Sequence, residues 1–293
     1  MRVGLQLPSF SWPGGAEALA DTLREIAAVA DEGGFASVWV MDHFFQIPMV
    51  GEAGEEMLES YSTLGHLAAL TRRVRLGALV TGVTYRNPGV LVKAASTLDV
   101  LSGGRAVLGL GAAWFEREHR GLGVAFPPMA ERFERLEETL QIAGQMWSED
   151  DGAFEGRYYH LAETLCSPQP LQRPRPPILI GGMGMRKTMR LVAQYADACN
   201  LFAVAGMDAL RERLDALRGH CDMQDRDFDE IERTSLSSIQ LGPAHMSAAD
   251  VIGHCRELAD AGIQHAIVNL PDAHEIAPLE RLAREVIPEV RGF

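Results

Sequence analysis

Cysteine is scarce in this chain. The four present, Cys166, Cys199, Cys221 and Cys255, never stand at C-x-x-C spacing. That argues against a zinc ribbon and a dithiol redox motif, and the expected state is four reduced, mostly buried thiols. Long apolar runs are missing too: none approaches the roughly 20 residues of a bilayer-spanning helix. The opening residues, MRVGLQLPSF, lack a signal-peptide core and already look like a strand. A cytoplasmic location with no membrane partner is expected. Positive charge is in deficit, with 27 Lys and Arg against 40 Asp and Glu, a formal net charge of −13. A nucleic-acid partner calls for a basic face, so that class is not expected. There is no G-x-S-x-G elbow and no P-loop. Glu116, Glu118 and His119 do not follow H-E-x-x-H spacing, so no metal is expected.

What is present is an ordinary globular composition: 293 residues, 47% hydrophobic, with 29 Gly and 15 Pro. That is enough chain for a large core. The organising stretch is Val74–Gly111, VRLGALVTGVTYRNPGVLVKAASTLDVLSGGRAVLGLG. Val74–Gly82 reads as a strand buried on both faces. Asn87-Pro88 starts a helix whose inward face is Leu91, Ala94, Ala95, Leu98 and Leu101. Ser102-Gly103-Gly104 ends it, and Ala106–Leu110 is the next strand. Such a βαβ unit is right-handed, and ligands bind at the carboxyl ends of its strands.

The same alternation continues along the chain. Strands are expected at Val3–Leu7, Ser37–Met41, Ile178–Ile180, Ala198–Phe202, Thr234–Leu241 and His265–Leu270. Apolar positions at helical spacing mark helices between them, among them Phe133, Leu136, Leu140, Ala143 and Trp147. Ser148–Arg175 is a polar, proline-rich connection longer than usual. Eight strand–helix steps without a composition break predict one domain over residues 1–293, a single (β/α)8 TIM barrel with insertions. An open doubly wound sheet would carry a glycine-rich turn after its first strand, where this chain has Pro8-Ser9-Phe10.

Several residues fall where chemistry is done. Asp42-His43 sits at the carboxyl end of the second strand. A histidine there can exchange a proton near neutral pH, with a neighbouring carboxylate to hold its tautomer. The plainer alternative is a histidine that satisfies backbone carbonyls. Thr81-Gly82-Val83 could be a bulge against a ligand or a simple end of strand. Gly181-Gly182-Met183-Gly184, with Arg186 and Lys187 following, offers bare amides at a helix start, which suits a phosphate. Gly109-Leu110-Gly111 has Trp114 where a dinucleotide fingerprint has its third glycine. Trp114, Phe115 and Phe126 could line a pocket or pack loops.

Taken together, VMDHF (Val40–Phe44), TGVTYRNP (Thr81–Pro88), STLDVLSGGRAVLGLGAAW (Ser96–Trp114), the run Phe154–Gly184 and YADACNLF (Tyr195–Phe202) resemble the luciferase-like monooxygenase superfamily. The resemblance is to its branch using the deazaflavin coenzyme F420, with FMN as the alternative cofactor. It implies a hydride-transferring oxidoreductase on a small organic substrate, commonly a homodimer. His43 matches the family's active-site histidine and general acid/base, beside Asp42. Gly82-Val83 takes the place of a non-prolyl cis peptide behind the tricyclic ring. Gly181, Gly182 and Gly184 match the loop that binds the cofactor phosphate. The expected cofactor contacts are Asp42, His43, Thr81, Gly82, Val83, Gly111, Gly181, Gly182, Met183 and Gly184. Under the FMN reading, a monooxygenase would receive reduced flavin from a separate reductase. A cofactor-binding relative without catalysis is a third reading, and the full strand count argues against it. The sugar-phosphate branch has a Gly-Glu pair where this chain has Ala113-Trp114, which implies a more apolar substrate.

Overall fold

The computed structural model describes residues 1–242 and 245–293. Parallel strands β1 (Arg2–Leu7), β2 (Ser37–Val40), β3 (Arg75–Ala78), β4 (Thr81–Gly82) and β5 (Ala106–Gly111) alternate with helices α1 (Gly15–Glu32), α2 (Ser60–Leu70) and α3 (Pro88–Ser102). Two helices follow, α4 (Glu116–Leu122) and α5 (Met129–Met146), then a short antiparallel hairpin of β6 (Phe154–Glu155) and β7 (His160–Leu161). The second half runs β8 (Ile178–Gly181), α6 (Lys187–Tyr195), β9 (Ala198–Phe202), α7 (Met207–Asp222), β10 (Glu232–Ser238), α8 (Ala248–Asp260) and β11 (His265–Asn269). Helices α9 (Ala277–Arg281) and α10 (Ile287–Val290) end the chain, joined by one π-helical turn.

The strand order is β3-β2-β1-β11-β10-β9-β8-β5-β4, and β5 also pairs with β3. The sheet therefore closes. β3 and β4 are two pieces of one barrel strand, which makes eight positions in a (β/α)8 barrel. The expected continuous strand Val74–Gly82 is broken at Leu79-Val80, and that bond is the cis non-prolyl peptide. The expectation at Gly82-Val83 is thus corrected by three residues. The neighbouring strands explain the position. Gly82 pairs in register with Gly111, and Val83 N–H donates to the Gly111 carbonyl at 3.1 Å, so the chain there is ordinary ladder. Val80 instead leans over Gly111 and Gly181. A Cβ on either glycine would lie 2.7 Å and 3.0 Å from its methyl groups. A Cβ on Gly109 would run into the Ala78 carbonyl oxygen. Three side-chain-free positions make the room that the break occupies.

Inside the barrel, Trp39, Leu79, Val107, Leu179, Ala198 and Ile267 pack together, while the larger core lies between the strands and the helices. Polar groups close the amino-terminal end. Trp39 Nε1 donates to Ser37 Oγ at 2.6 Å, Ser37 Oγ meets His265 Nε2 at 3.0 Å, and His265 Nδ1 meets Glu232 at 2.8 Å. Burial pulls the His265 imidazole below its usual range, consistent with one proton held between the two partners. The seventh barrel strand stops at Ser238, and Leu241 forms only an isolated bridge with Met246. The long connection is tied down by Asp99, which accepts from the Leu171 and Gln172 amides at 2.7 and 3.1 Å.

At the carboxyl end, one ionic cluster joins β2 to β4 and α2. Asp42 is buried and receives a two-pronged contact from Arg86, at 2.7 and 2.9 Å. It also accepts from Ser60 Oγ at 2.6 Å and from the Gly82 amide at 3.3 Å. Arg86 reaches Glu59, the N-cap of α2, and lies over the Tyr61 ring at 5.0 Å. Burial would lower the Arg86 pKa, but the contacts to Asp42 and Glu59 outweigh it and the net shift is upward. Arg86→Met would leave the Asp42 carboxylate buried without a cation. We expect a loss of about 3–5 kcal/mol in urea unfolding; a loss under about 1 kcal/mol would mean the pair does not hold this rim.

Candidate active site

The carboxyl end of the barrel opens into a cavity of about 1170 Å³. Its floor carries Gln6, Asn200, Ser238 and Asn269, the ends of four barrel strands. Gln6 donates to the Leu79 carbonyl at 3.3 Å, so the floor also holds the break between β3 and β4. The walls are apolar, with Met41, Ile47, Ala112, Trp114, Phe133 and Leu136. A large volume lined by apolar groups, with a few polar ones converging, is the usual form of a ligand site.

Nine of the ten residues expected to touch a cofactor line this cavity: Asp42, His43, Thr81, Gly82, Gly111, Gly181, Gly182, Met183 and Gly184. Val83 does not. It is buried in the outer core, because the residue after Gly82 turns to the opposite face. Thr81 is also fully buried, its hydroxyl paired with Tyr61 at 3.0 Å.

Asp42 and His43 part company at the end of β2. Asp42 turns into the ionic cluster and does not orient the imidazole. The carboxylate that meets His43 is Glu118 on α4, whose oxygens lie 3.1 and 3.2 Å from Nδ1. A carboxylate accepts, so Nδ1 carries the hydrogen and Nε2 is left as the acceptor. Glu118 is fully buried and also accepts from the Tyr85 hydroxyl. Burial first, and then this contact, push the Tyr85 phenol far above its usual range, so it stays a donor. His119, next in sequence, is used structurally. Its Nδ1 donates to the Phe115 carbonyl at 2.8 Å, its Nε2 accepts from Thr84 at 2.6 Å, and its ring stacks on Tyr85. Trp114 and Phe115 stack on each other at 5.1 Å and present their faces or edges to His43 at 5.6 and 5.9 Å.

Inspection of Glu116, Glu118 and His119 for metal spacing missed this role. The available signal was a carboxylate one helical turn after two aromatics, at the carboxyl end of a barrel strand. Nothing local says which of the two glutamates turns inward. Among the described residues, no group of His, Cys, Asp and Glu is placed to hold a metal, and no helix is long and apolar enough to cross a membrane.

The glycine loop is built as a cradle. Gly182 has φ +135°, a region that strains any other L-residue, and a Cβ on Gly184 would lie 2.7 Å from Thr188 Oγ1. Helix α6 begins at Lys187 with no side-chain cap, so the amides of Lys187 and Thr188 are free for an anion, while that of Met189 donates to the Gly184 carbonyl at 3.1 Å. Arg186 and Lys187 line the cavity. Arg190 does not, being paired with Glu137 at 2.6 Å, and Arg86 is engaged by Asp42 and Glu59. A planar heterocycle with an anionic tail therefore fits: an apolar slot over Val80, then a run of open amides and two cations at the rim.

A family model described as luciferase-like monooxygenase matches residues 1–285. The F420-dependent glucose-6-phosphate dehydrogenase of Kineococcus radiotolerans is 36% identical over 215 residues, 72% of this chain and 61% of that relative. This chain thus spans less than two thirds of that protein. Among solved structures, a monooxygenase from Streptomyces bottropensis superposes with TM-score 0.84 at 18% identity, covering 98% of this chain and 99% of its own. An F420-dependent secondary alcohol dehydrogenase, in complex with an F420–acetone adduct, superposes with TM-score 0.82 at 19% identity, covering 99% of both. At such identities these two establish the fold. The chain belongs to the luciferase-like monooxygenase family, and in sequence it stands beside that family's F420-dependent oxidoreductases.

Proposed function

We propose that this protein, one domain over residues 1–293, is an F420-dependent oxidoreductase. The observation that carries the reading is the pairing of His43, its Nδ1 held by buried Glu118, with a heterocycle-sized cavity on the same barrel rim. The 36% identity to a protein named for F420 dependence supports the cofactor. When bound, the deazaflavin supplies a ring carbon that accepts or donates hydride. The chain's own residues do the rest. Val80, Gly111 and Gly181 shape the slot, and the amides of Met183–Thr188 with Arg186 and Lys187 take the tail. His43 Nε2 takes the proton of an alcohol being oxidised, or returns one in the reverse direction. Glu118 keeps the imidazole in the tautomer that frees Nε2 and fixes the ring's orientation. Apolar walls and Trp114 beside His43 support a substrate with an apolar body over a free sugar phosphate.

A homodimer is part of the same reading. Val90 and Leu101 on α3 and Leu165 on the long connection are exposed by 64%, 68% and 63%, and they edge a groove shared with Tyr61 and Gly65 of α2. Such a patch suits a second apolar surface.

Titration with F420 and with FMN side by side tests the cofactor. Micromolar binding of F420 with turnover that consumes no oxygen is expected; flavin binding with oxygen uptake would establish the monooxygenase reading instead. His43→Ala, measured at saturating F420, should cut turnover about 10²–10⁴-fold, and Glu118→Gln should fall between it and wild type. Turnover at the wild-type rate in His43→Ala would remove the role. Light scattering should give twice the chain mass, reverting to the single-chain mass in Leu101→Glu.

A further inference from the structure

We infer that Arg132 is an oxyanion-binding residue of the active-site cavity, receiving a carboxylate or phosphate of the ligand that fills it. The inference rests on the functional reading above and adds a chemical class to its ligand. Helix α5 turns one face to the cavity through Met129, Arg132, Phe133 and Leu136, the i, i+3, i+4, i+7 pattern of a helix stripe. Three of these are apolar. The fourth is a guanidinium, and it is buried, with 6% of the residue exposed.

A buried arginine is ordinarily matched by a carboxylate, because an unpaired charge out of water is costly. Other guanidiniums near this rim have their match, Arg86 with Asp42 and Glu59, Arg135 with Glu131, Arg190 with Glu137, and Arg186, which lines the cavity without a carboxylate, is exposed to water. Arg132 Nε finds no hydrogen-bond partner among the described residues. Glu116 acts on it only through its distant charge, and burial pulls the guanidinium below its usual range. Its guanidinium carbon lies over the Phe126 ring, 4.0 Å from the centroid. The aromatic face attracts the cation but does not replace the oxygen acceptor its N–H fork calls for. A planar donor set, set over a ring on an apolar wall of the cavity, is missing an oxyanion. Two sources have that chemistry: a substrate with an apolar body and one acidic end, or the acidic tail of the cofactor.

The probes are hexanoate and hexyl phosphate against hexanol, measured by calorimetry on the chain loaded with whichever cofactor the titration shows to bind. Hexanoate or hexyl phosphate should bind wild type about 10–100-fold tighter than hexanol, the size of a charge-assisted contact. Arg132→Gln should abolish that preference, and Arg132→Lys should retain part of it. A second arm compares F420 with its deazaflavin chromophore lacking the phosphate and glutamyl tail. If Arg132→Gln weakens F420 and not the truncated form, the oxyanion is the cofactor's; if it alters only the hexyl probes, it is the substrate's. Wild type that binds hexanol as well as hexanoate, with equal F420 affinity in wild type and Arg132→Gln, would overturn the assignment. Because the hexyl arm runs with either cofactor, a failure of the F420 reading is seen separately, in the titration. Should Arg132→Gln not fold, the wild-type comparison and Arg132→Lys still decide.

Discussion

The site depends first on a buried carboxylate that ties its rim together. Asp42, two residues past β2, gathers the Arg86 guanidinium, the Ser60 hydroxyl and the Gly82 amide around one buried group. Three separate segments of chain meet there. The opposed charges offset the desolvation of burial only because the remaining oxygen and nitrogen valences are also filled. With Asp42 fixed just past the end of β2, His43 beside it lines the cavity and turns its Nδ1 to Glu118.

The second constraint is the absence of side chains. Gly109, Gly111 and Gly181 lie on adjacent barrel strands, where any Cβ would strike Ala78 or Val80. The interruption between β3 and β4 fits into that space, and Val80 rises from it into the cavity. Gly111 and Gly181 therefore shape the slot by what they leave out and by what they let in. Together with the open amides of α6 this gives one end of the cavity a flat apolar surface and the other an anionic preference.

Labour is divided among the acidic and basic groups around this rim. Asp42 holds the scaffold, and Glu118 holds the imidazole. Arg86 and Arg190 are engaged by carboxylates, while Arg186, Lys187 and Arg132 are turned to the cavity. Neighbours in sequence take different parts, as Asp42 differs from His43 and Glu118 from His119. The turn after β2 and helix α4 each point adjacent side chains in different directions.

The sequence by itself determined the alternation of strands and helices, the eightfold count and the end of the barrel where chemistry collects. Those follow from periodicity and from glycine and proline placement, which act over a few residues. It also marked His43 and the glycine loop Gly181–Gly184. Only the tertiary structure decided that Glu118 and not Asp42 meets the imidazole, that Val83 faces away, that the cis bond is Leu79-Val80, and that Arg132 is buried without a carboxylate. The reason is range: Asp42 and Arg86 are separated by 44 positions and His43 and Glu118 by 75. Which partners meet across such spans is set by barrel closure and the packing of loops on its rim.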